Sequence, residues 1–253
     1  MGGEGAGRTV TTDDLFLPRG YSENMPEPVD SDDGLDFWAR ADEMQNRSAR
    51  RYQDPVYKLV DRRAPADATV LDVGCGIGEN LVRRVAGNGR RVVGVDQTSA
   101  IAVARAEFPE QEWIAGDLRS EELWASLGAL QPDVVVCADV IEHVDDPVLL
   151  LERLGGLLRA GTSLVLSTPD RDRLEDQLAL GPPRNPHHIR EWAEPELRQL
   201  VESVGLVVQR TQHVLPRRYP VTWLETKMVV WRALHGRAVP ARRSCMVFEL
   251  APG

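Results

Sequence analysis

The stretch that decides the fold reads Val70 Leu71 Asp72 Val73 Gly74 Cys75 Gly76 Ile77 Gly78. Its apolar residues predict a buried strand, and the glycines after Val73 let the backbone turn sharply and approach a ligand closely before a helix begins. A dinucleotide-binding loop would have its third glycine at Glu79, and a P-loop would end in Lys followed by Ser or Thr; both features are absent. The stretch therefore predicts the ligand-binding edge of a doubly wound α/β sheet and disfavours a ligand held by its phosphates.

Short apolar runs alternate with helical stretches along the chain, which is the pattern of a mostly parallel sheet with helices on both faces. Asp146 and Pro147 supply the cap and first-turn proline of one helix, and a second helix has Pro195 in its first turn and Gly205 after its end. A further helix is predicted at 223–234. The fold class is therefore α/β, a Rossmann-like doubly wound sheet of seven strands at 69–73, 91–95, 112–115, 133–137, 163–167, 206–212 and 244–250.

Composition divides the chain into three parts. Residues 1–32 are rich in Gly, Pro, Asp and Glu and predict an acidic, flexible arm with too little apolar surface to order itself, part of which can become ordered over a bound ligand. Residues 33–66 have apolar residues at helical spacing and predict an N-terminal helical lid, interrupted near Pro55. Residues 67–253 form the sheet domain. Its insertions, which we expect to wall the ligand site, lie near 170–186 and 215–243.

Composition also excludes several classes of protein. At 253 residues the chain is long enough for one α/β domain and short for two. No run approaches the roughly 18 to 20 apolar residues that span a bilayer, and the first residues lack the basic and apolar regions of a secretory signal. Three cysteines at wide spacing predict neither a disulfide framework nor a zinc site, which favours a reducing, cytoplasmic location.

Charge is unevenly distributed along the sequence. The formal net charge of -9 disfavours non-specific binding of nucleic acid, which needs many contacts to phosphates. Residues 1–35 carry eight acidic and two basic residues, whereas residues 205–253 carry eight basic and two acidic ones. The basic end is compatible with an anionic group on a small acceptor. Attraction between the two ends suits either a monomer or a homodimer, and no nucleic-acid or membrane partner is expected.

Acidic residues follow the first three predicted strands. Asp72 lies beside the glycine loop, Asp96 ends the second strand, where a carboxylate accepts from both hydroxyls of a ribose, and Asp117 follows the third, placed to accept from an adenine amine. Three carboxylates would repel a pyrophosphate and suit a cationic nucleoside. The residues predicted to bind this ligand are Asp72, Gly74, Cys75, Gly76, Gly78, Asp96, Gln97, Asp117, Leu118 and Ala138.

These motifs resemble those of the class I S-adenosylmethionine-dependent methyltransferases over roughly residues 68–250. Asp72 and its glycines match the first motif of that family, Asp96 its ribose acid, Asp117 its adenine acid, and residues 138–144 the segment after the fourth strand. The resemblance implies S-adenosylmethionine as the cofactor and methyl transfer as the activity. The sulfonium, ammonium, diol and exocyclic amine of that cofactor also suit an acid-rich site.

Two segments are predicted to face the methyl group, residues 139–143 after the fourth strand and residues 185–192 after the fifth. Together they resemble the metal-dependent ribose methyltransferases of small RNAs and, more loosely, the ubiquinone-pathway O-methyltransferases. The first residue of the pattern departs from it, because Asp139 is one methylene shorter than the Glu expected there. The resemblance implies that a divalent ion such as Mg, Mn, Fe or Zn is held by Asp139, Glu142, His143 and His188.

Other roles for these residues stay open. His143 or His188, together with Glu142, can act as a metal-free general base. The Glu-His pair can also simply shape the cofactor pocket, and adjacent histidines in a loop are commonly surface residues. Arg190 can orient a carboxylate or phosphate, although an ion pair with one of its neighbouring glutamates is the simpler explanation.

The predicted activity is O-methylation of a small molecule, such as a sugar or natural-product hydroxyl, because a hydroxyl needs a base or metal to remove its proton. N-methylation of an amino sugar would use the same cofactor residues, since an amine needs little beyond alignment with the methyl group. A non-catalytic interaction protein that binds S-adenosylmethionine would keep them as well.

Overall fold

A computed structural model describes residues 13–25, 43–173, 181–214 and 245–253, with Trp231 and Leu234; over 43–52 it describes the backbone alone. The helix predicted at 223–234 and the insertion at 215–243 lie outside the described residues, apart from Trp231 and Leu234, whose backbone is helical. Part of the other insertion, residues 174–180, also lies outside them.

A single sheet of seven strands forms the centre of the described structure. Its spatial order is β3-β2-β1-β4-β5-β7-β6; β1 to β5 run parallel, and β7 is antiparallel to both β5 and β6. The predicted seven-stranded, mostly parallel sheet is therefore confirmed, with strand ends within two residues of those expected. The strands are β1 Thr69–Val73, β2 Arg91–Asp96, β3 Glu112–Ala115, β4 Val134–Ala138, β5 Ser163–Pro169, β6 Leu206–Val214 and β7 Cys245–Pro252.

The described α-helices are α1 Glu43–Arg63, α2 Thr98–Glu107, α3 Glu121–Ala129, α4 Pro147–Gly156 and α5 Glu194–Ser203, and a π-helical turn, Leu81–Val85, follows the glycine loop. Predicted helix ends are confirmed: the Asp146 carboxylate accepts from Leu149 N at 2.9 Å and so caps α4, and Gly205 follows α5 with φ +82°. Every helix among the described residues is too short or too polar to span a bilayer.

Helix α1 corrects one prediction, because it continues through Pro55 without interruption. A proline inside a helix costs about 3 kcal/mol through its missing N–H and its ring clash. Beyond Pro55, however, Val56, Tyr57 and Val60 are fully or almost fully buried, and each such side chain contributes about 1.5–3 kcal/mol. Packing therefore outweighs the local penalty. Residues 53–63 of the predicted lid thus belong to the helical layer on the sheet.

Alternate residues of the central strands pack into two separate cores, one on each face of the sheet. Val70 contacts the core shared with α1 and α2, whereas Leu71 contacts the core shared with α4 and α5. Burial on both faces is what near-continuous apolar strands such as β4 predict. The carboxyl ends of β1, β2 and β4 consequently lie along one edge of a rigid sheet, where the candidate site forms.

Candidate functional site

The glycine loop after β1 packs closely against its neighbours. A Cβ placed on Gly74, which has φ +79°, would lie 2.2 Å from Cγ2 of Val140, and one on Gly78, which has φ +74°, would lie 2.0 Å from the Trp113 ring. Any side chain at these positions would both strain the backbone and displace a neighbour. The loop is therefore pressed against the segment that follows β4, so the two predicted motifs adjoin.

Asp96, the predicted ribose acid, ends β2 beside this loop. Its Oδ2 accepts from Gly76 N and its Oδ1 from Gln97 N, both at 2.7 Å. Each carboxylate oxygen keeps a further lone pair for a ligand hydroxyl. Burial raises the pKa of Asp96, and the two backbone hydrogen bonds oppose that rise. The carboxylate is thus oriented by the main chain before any ligand binds.

Asp72, beside the loop, is completely buried. Its Oδ2 accepts from the hydroxyl of Tyr57 on α1 at 2.8 Å, while its Oδ1 has no hydrogen-bond partner among the described residues. Burial raises the pKa of Asp72 to about 7, although the hydrogen bond from Tyr57 lowers it. A buried carboxylate with one unsatisfied oxygen is suited to a cationic ligand, which would stabilise its ionised form.

The other predicted cofactor residues lie along the same edge but differ in exposure. Asp117 is exposed and forms an ion pair with Arg119 at 2.7 Å, which lowers the pKa of the carboxyl. Leu118 is half-buried against the core, and the carbonyl of buried Ala138 accepts from Gln53 Nε2 at 3.2 Å. Cys75 is buried, and burial raises the pKa of its thiol, which suits a space-filling role better than a nucleophilic one.

Glu142 lies in a short 3₁₀ turn, Ile141–His143, directly after β4. The side chain is completely buried; Oε2 accepts from Thr168 Oγ1 at 2.9 Å, and Oε1 has no partner among the described residues. Burial, followed by the nearby charge of Asp139, raises the pKa of Glu142 well above its usual range. A buried carboxylate with one unsatisfied oxygen is chemically suited to a cation or a proton.

The imidazoles of His143 and His188 meet edge to face, with ring centroids 4.7 Å apart. His143 Nδ1 donates to the carbonyl of His187 at 2.7 Å, and His188 Nδ1 donates to Oε1 of buried Glu191 at 2.5 Å. The carbonyl of His187 holds the hydrogen of His143 on Nδ1 and leaves Nε2 of that ring with its lone pair. The surrounding protein and the adjacent His188 lower the pKa of His143 to about 4, so that ring is neutral at pH 7.

Glu142, His143 and His188 each offer a ligand atom, and these atoms lie within 4.8 Å of one another. Three of the four residues that the sequence assigned to a metal are thus brought together. Asp139 lies outside the cluster. Its backbone has φ +56°, and its Oδ1 accepts from Ser167 Oγ at 3.1 Å, so the shorter side chain is engaged elsewhere.

Residues 13–25, which we call the N-terminal strap, were missed by sequence reasoning. They fall within the predicted flexible arm but make specific contacts: Leu15 is buried, its carbonyl accepts from Trp192 Nε1, and the Tyr21 hydroxyl accepts from Glu191 N at 2.8 Å. The signals for this packing were the short apolar run Leu15 Phe16 Leu17 and the aromatic Tyr21 in an otherwise acidic arm. The prediction of a flexible arm therefore fails for the strap.

Arg190 also has a different partner from the one expected. Its guanidinium is buried and pairs with Glu23 of the strap, Nε to Oε1 at 2.7 Å, in place of a neighbouring glutamate. It also donates to the carbonyls of Val144 and Asp145 at 3.1 Å each. Its donors are thus engaged by the protein, so an orienting role toward a substrate phosphate loses support.

A family model described as a methyltransferase domain matches residues 44–211. The chain belongs to the class I S-adenosylmethionine-dependent methyltransferases. It is 34% identical to a probable S-adenosylmethionine-dependent methyltransferase of Mycolicibacterium smegmatis over 66% of its own length and 62% of that relative's. It is also 34% identical to a ubiquinone biosynthesis O-methyltransferase of Thiobacillus denitrificans, over 59% of this chain and 69% of that one.

Solved structures agree with this family at the level of the fold. A S-adenosylmethionine-dependent methyltransferase from Aquifex aeolicus superposes with a TM-score of 0.57 and 18% identity, covering 85% of this chain and 97% of that one. The predicted family, its cofactor S-adenosylmethionine and the Rossmann-like fold are therefore confirmed. The acceptor is a separate question, because one methyltransferase fold serves many acceptors.

Proposed function

We propose that this methyltransferase transfers the methyl group of S-adenosylmethionine to a hydroxyl of a small molecule, such as a sugar or a natural-product intermediate. The observation that carries the proposal is the cluster of Glu142, His143 and His188, whose ligand atoms lie within 4.8 Å of one another directly after β4. Methyl transfer is an in-line displacement at carbon, so the acceptor oxygen must lose its proton close to the methyl group.

For the cofactor, we assign the ribose hydroxyls to Asp96, whose two oxygens are already oriented by Gly76 and Gln97. Asp72, with its unsatisfied oxygen, would face the positive amino-acid end. Asp117 would accept from the adenine amine, although its ion pair with Arg119 competes for the carboxylate. The glycine loop excludes side chains between these acids, which lets the nucleoside approach the backbone.

The side chains of Glu142, His143 and His188, which we call the acceptor cluster, carry donor atoms that suit a divalent metal ion. Glu142 Oε1 is buried without a partner, and both imidazoles have Nδ1 bound to an oxygen acceptor, which is the usual second contact of a metal-binding histidine. One carboxylate and two imidazoles favour Zn, Fe or Mn over Mg. A bound ion would lower the pKa of an acceptor hydroxyl. Glu142, His143 and His188 would hold it.

The same residues support a metal-free alternative. His143 keeps a lone pair on Nε2 for a proton from a hydroxyl or from the ammonium group of an amino sugar, although its lowered pKa makes it a weaker base than a free imidazole. N-methylation of such an amine is our second candidate. The similarity to a ubiquinone biosynthesis O-methyltransferase supports the hydroxyl acceptor over the amine.

The proposal is tested with S-adenosylmethionine carrying a labelled methyl group, incubated with the chain and with fractionated metabolites. We expect label in a small hydroxyl compound, with transfer reduced by His188→Ala and by EDTA. Transfer that survives EDTA but is lost in His143→Ala would replace the metal by the general base. Absence of S-adenosylmethionine binding in isothermal titration would overturn the whole proposal.

A further inference from the structure

One side chain of the N-terminal strap contacts the loop that carries His188 at several points. The side-chain nitrogen of Asn24 lies 2.9, 3.1 and 2.8 Å from the carbonyls of Pro183, Asn185 and His188, which share its two hydrogens. Its backbone N also donates to Ile189 O at 2.9 Å. Three carbonyls converge on one amide, so the path of residues 183–189 follows the position of Asn24.

The path of this loop sets the orientation of both candidate imidazoles. His188 belongs to the loop, and the ring of His143 is held from it, because His143 Nδ1 donates to the carbonyl of His187. Two of the carbonyls bound by Asn24, those of Asn185 and His188, lie on either side of His187. The peptide units that could turn His187 O away from His143 are therefore held from both sides.

The chain beyond His188 has anchors of its own, and within the loop His188 N donates to Asn185 O at 3.0 Å and His187 N to Asn185 Oδ1 at 3.1 Å. Ile189 N donates to Glu142 O at 2.8 Å, Glu191 N donates to the Tyr21 hydroxyl, and Arg190 pairs with Glu23. These anchors keep residues 189–191 in place without the side chain of Asn24. Loss of its amide should therefore disturb the two imidazoles while the surrounding fold persists.

We infer that Asn24 is a positioning residue that orients both His143 and His188, an inference that rests on the proposed function of those two histidines. An acceptor site built this way includes the N-terminal strap, although the strap lies more than a hundred residues away in sequence. Asn24 itself need not touch the substrate. It acts through the main-chain carbonyls that its side-chain amide binds. A neutral donor of this size is needed to hold these carbonyls together.

The first test observes the imidazoles directly in the whole 253-residue chain without metal. Nitrogen-15 spectra of its five histidines should show the Nδ1–H tautomer for His143 and His188 in the wild type. In Asn24→Ala both rings should exchange between tautomers and give averaged signals. The same result is expected in Asn24→Asp, where a carboxylate of equal size repels the carbonyls. Met25→Ala, at an 84% exposed neighbour, is the matched control and should change neither. Wild-type signals for both rings in both Asn24 variants would overturn the inference.

The second test uses Co²⁺ alone as the probe, followed by its visible absorption. Asn24→Asp should weaken Co²⁺ binding by about 10-fold or more, the usual effect of losing contacts that orient metal ligands, and Met25→Ala should not. Binding of S-adenosylhomocysteine, expected within twofold of the wild type, verifies that each variant is folded. If the wild type binds no Co²⁺, the proposed metal role fails, while the tautomer spectra still decide the role of Asn24.

Discussion

The proposed site has two halves, one for the cofactor and one for the acceptor, that are held by different kinds of contact. The cofactor half, which comprises Asp72, residues 74–78 and Asp96, is positioned by adjacent strands and by backbone N–H groups within the same motif. The acceptor half, which comprises Glu142, His143 and His188, draws on segments from three distant parts of the chain. A locally built site tolerates changes elsewhere, whereas an assembled one depends on every segment that supports it.

The largest expected effect comes from substituting Glu142, which should impair the acceptor half and leave the cofactor half unchanged. Glu142→Gln keeps the size of the side chain and a bond to Thr168 but removes the negative charge. We expect acceptor turnover to fall about 100-fold, because a neutral amide is a much weaker ligand for a divalent ion than a carboxylate, while affinity for S-adenosylmethionine stays within about twofold. Thermal stability should hold or rise, because a buried carboxylate is removed.

Turnover with an identified acceptor, calorimetric titration of the cofactor and a thermal melt would check this prediction. Glu110→Gln, at an exposed position, is the matched control. A fall in cofactor affinity as large as the fall in turnover would show that Glu142 serves the cofactor half instead.

The next effect tests the cofactor half alone. Asp96→Ala would remove the two charge-assisted bonds that we assign to the ribose hydroxyls, and it should weaken S-adenosylmethionine binding by about 100-fold in calorimetric titration. Asp117→Ala should weaken it by less than about tenfold, because the exposed Asp117 is already paired with Arg119. Equal losses in the two variants would mean that the adenine contact matters as much as the ribose contact.

A third prediction concerns the seam between the halves, where Gly74 meets Val140. Gly74→Ala should destabilise the chain by about 1–3 kcal/mol in urea unfolding, through a clash and an unfavourable positive φ. In the double variant with Val140→Ala, the loss of stability caused by the clash should be recovered, whereas the loss caused by the positive φ should remain. Strictly additive losses would mean that the two residues do not couple across the seam.

The smallest effect is the response of the cofactor half to pH. In the free protein the pKa of Asp72 is about 7, above its ordinary value, so the folded chain holds a proton that the unfolded chain has released. Stability should therefore fall as pH rises from about 4 through 7. Affinity for the cationic cofactor should rise by up to about tenfold between pH 6 and 8, since ionised Asp72 attracts it.

Calorimetry and melting curves across this pH range would measure both trends, and Asp72→Asn should remove them. Tyr57→Phe deletes the hydrogen bond that lowers the pKa of Asp72, so its profile should move to higher pH. A cofactor affinity independent of pH in the wild type would contradict the assignment of Asp72 to the positive end of the ligand.

Sequence reasoning predicted the strands well because apolar β-rich runs and glycine or proline boundaries are local signals. It failed at Pro55, where burial of Val56 and Tyr57 overrode the local preference against proline. It also grouped Glu142, His143 and His188 by resemblance, and its one reason to separate Asp139 from them was a side chain one methylene shorter than the expected Glu. That separation depends on Ser167, a strand residue that only the folded sheet brings alongside.

The sequence by itself determined the seven-stranded sheet, the glycine loop and the acids at the strand ends, because each is encoded within a few consecutive residues. Only the tertiary structure decided which side chains support the acceptor half. Asn24, Tyr21 and Glu23 contact residues 183–191 across more than 150 positions. Contacts of that range arise from packing against the finished sheet, and neither periodicity nor a local motif records them.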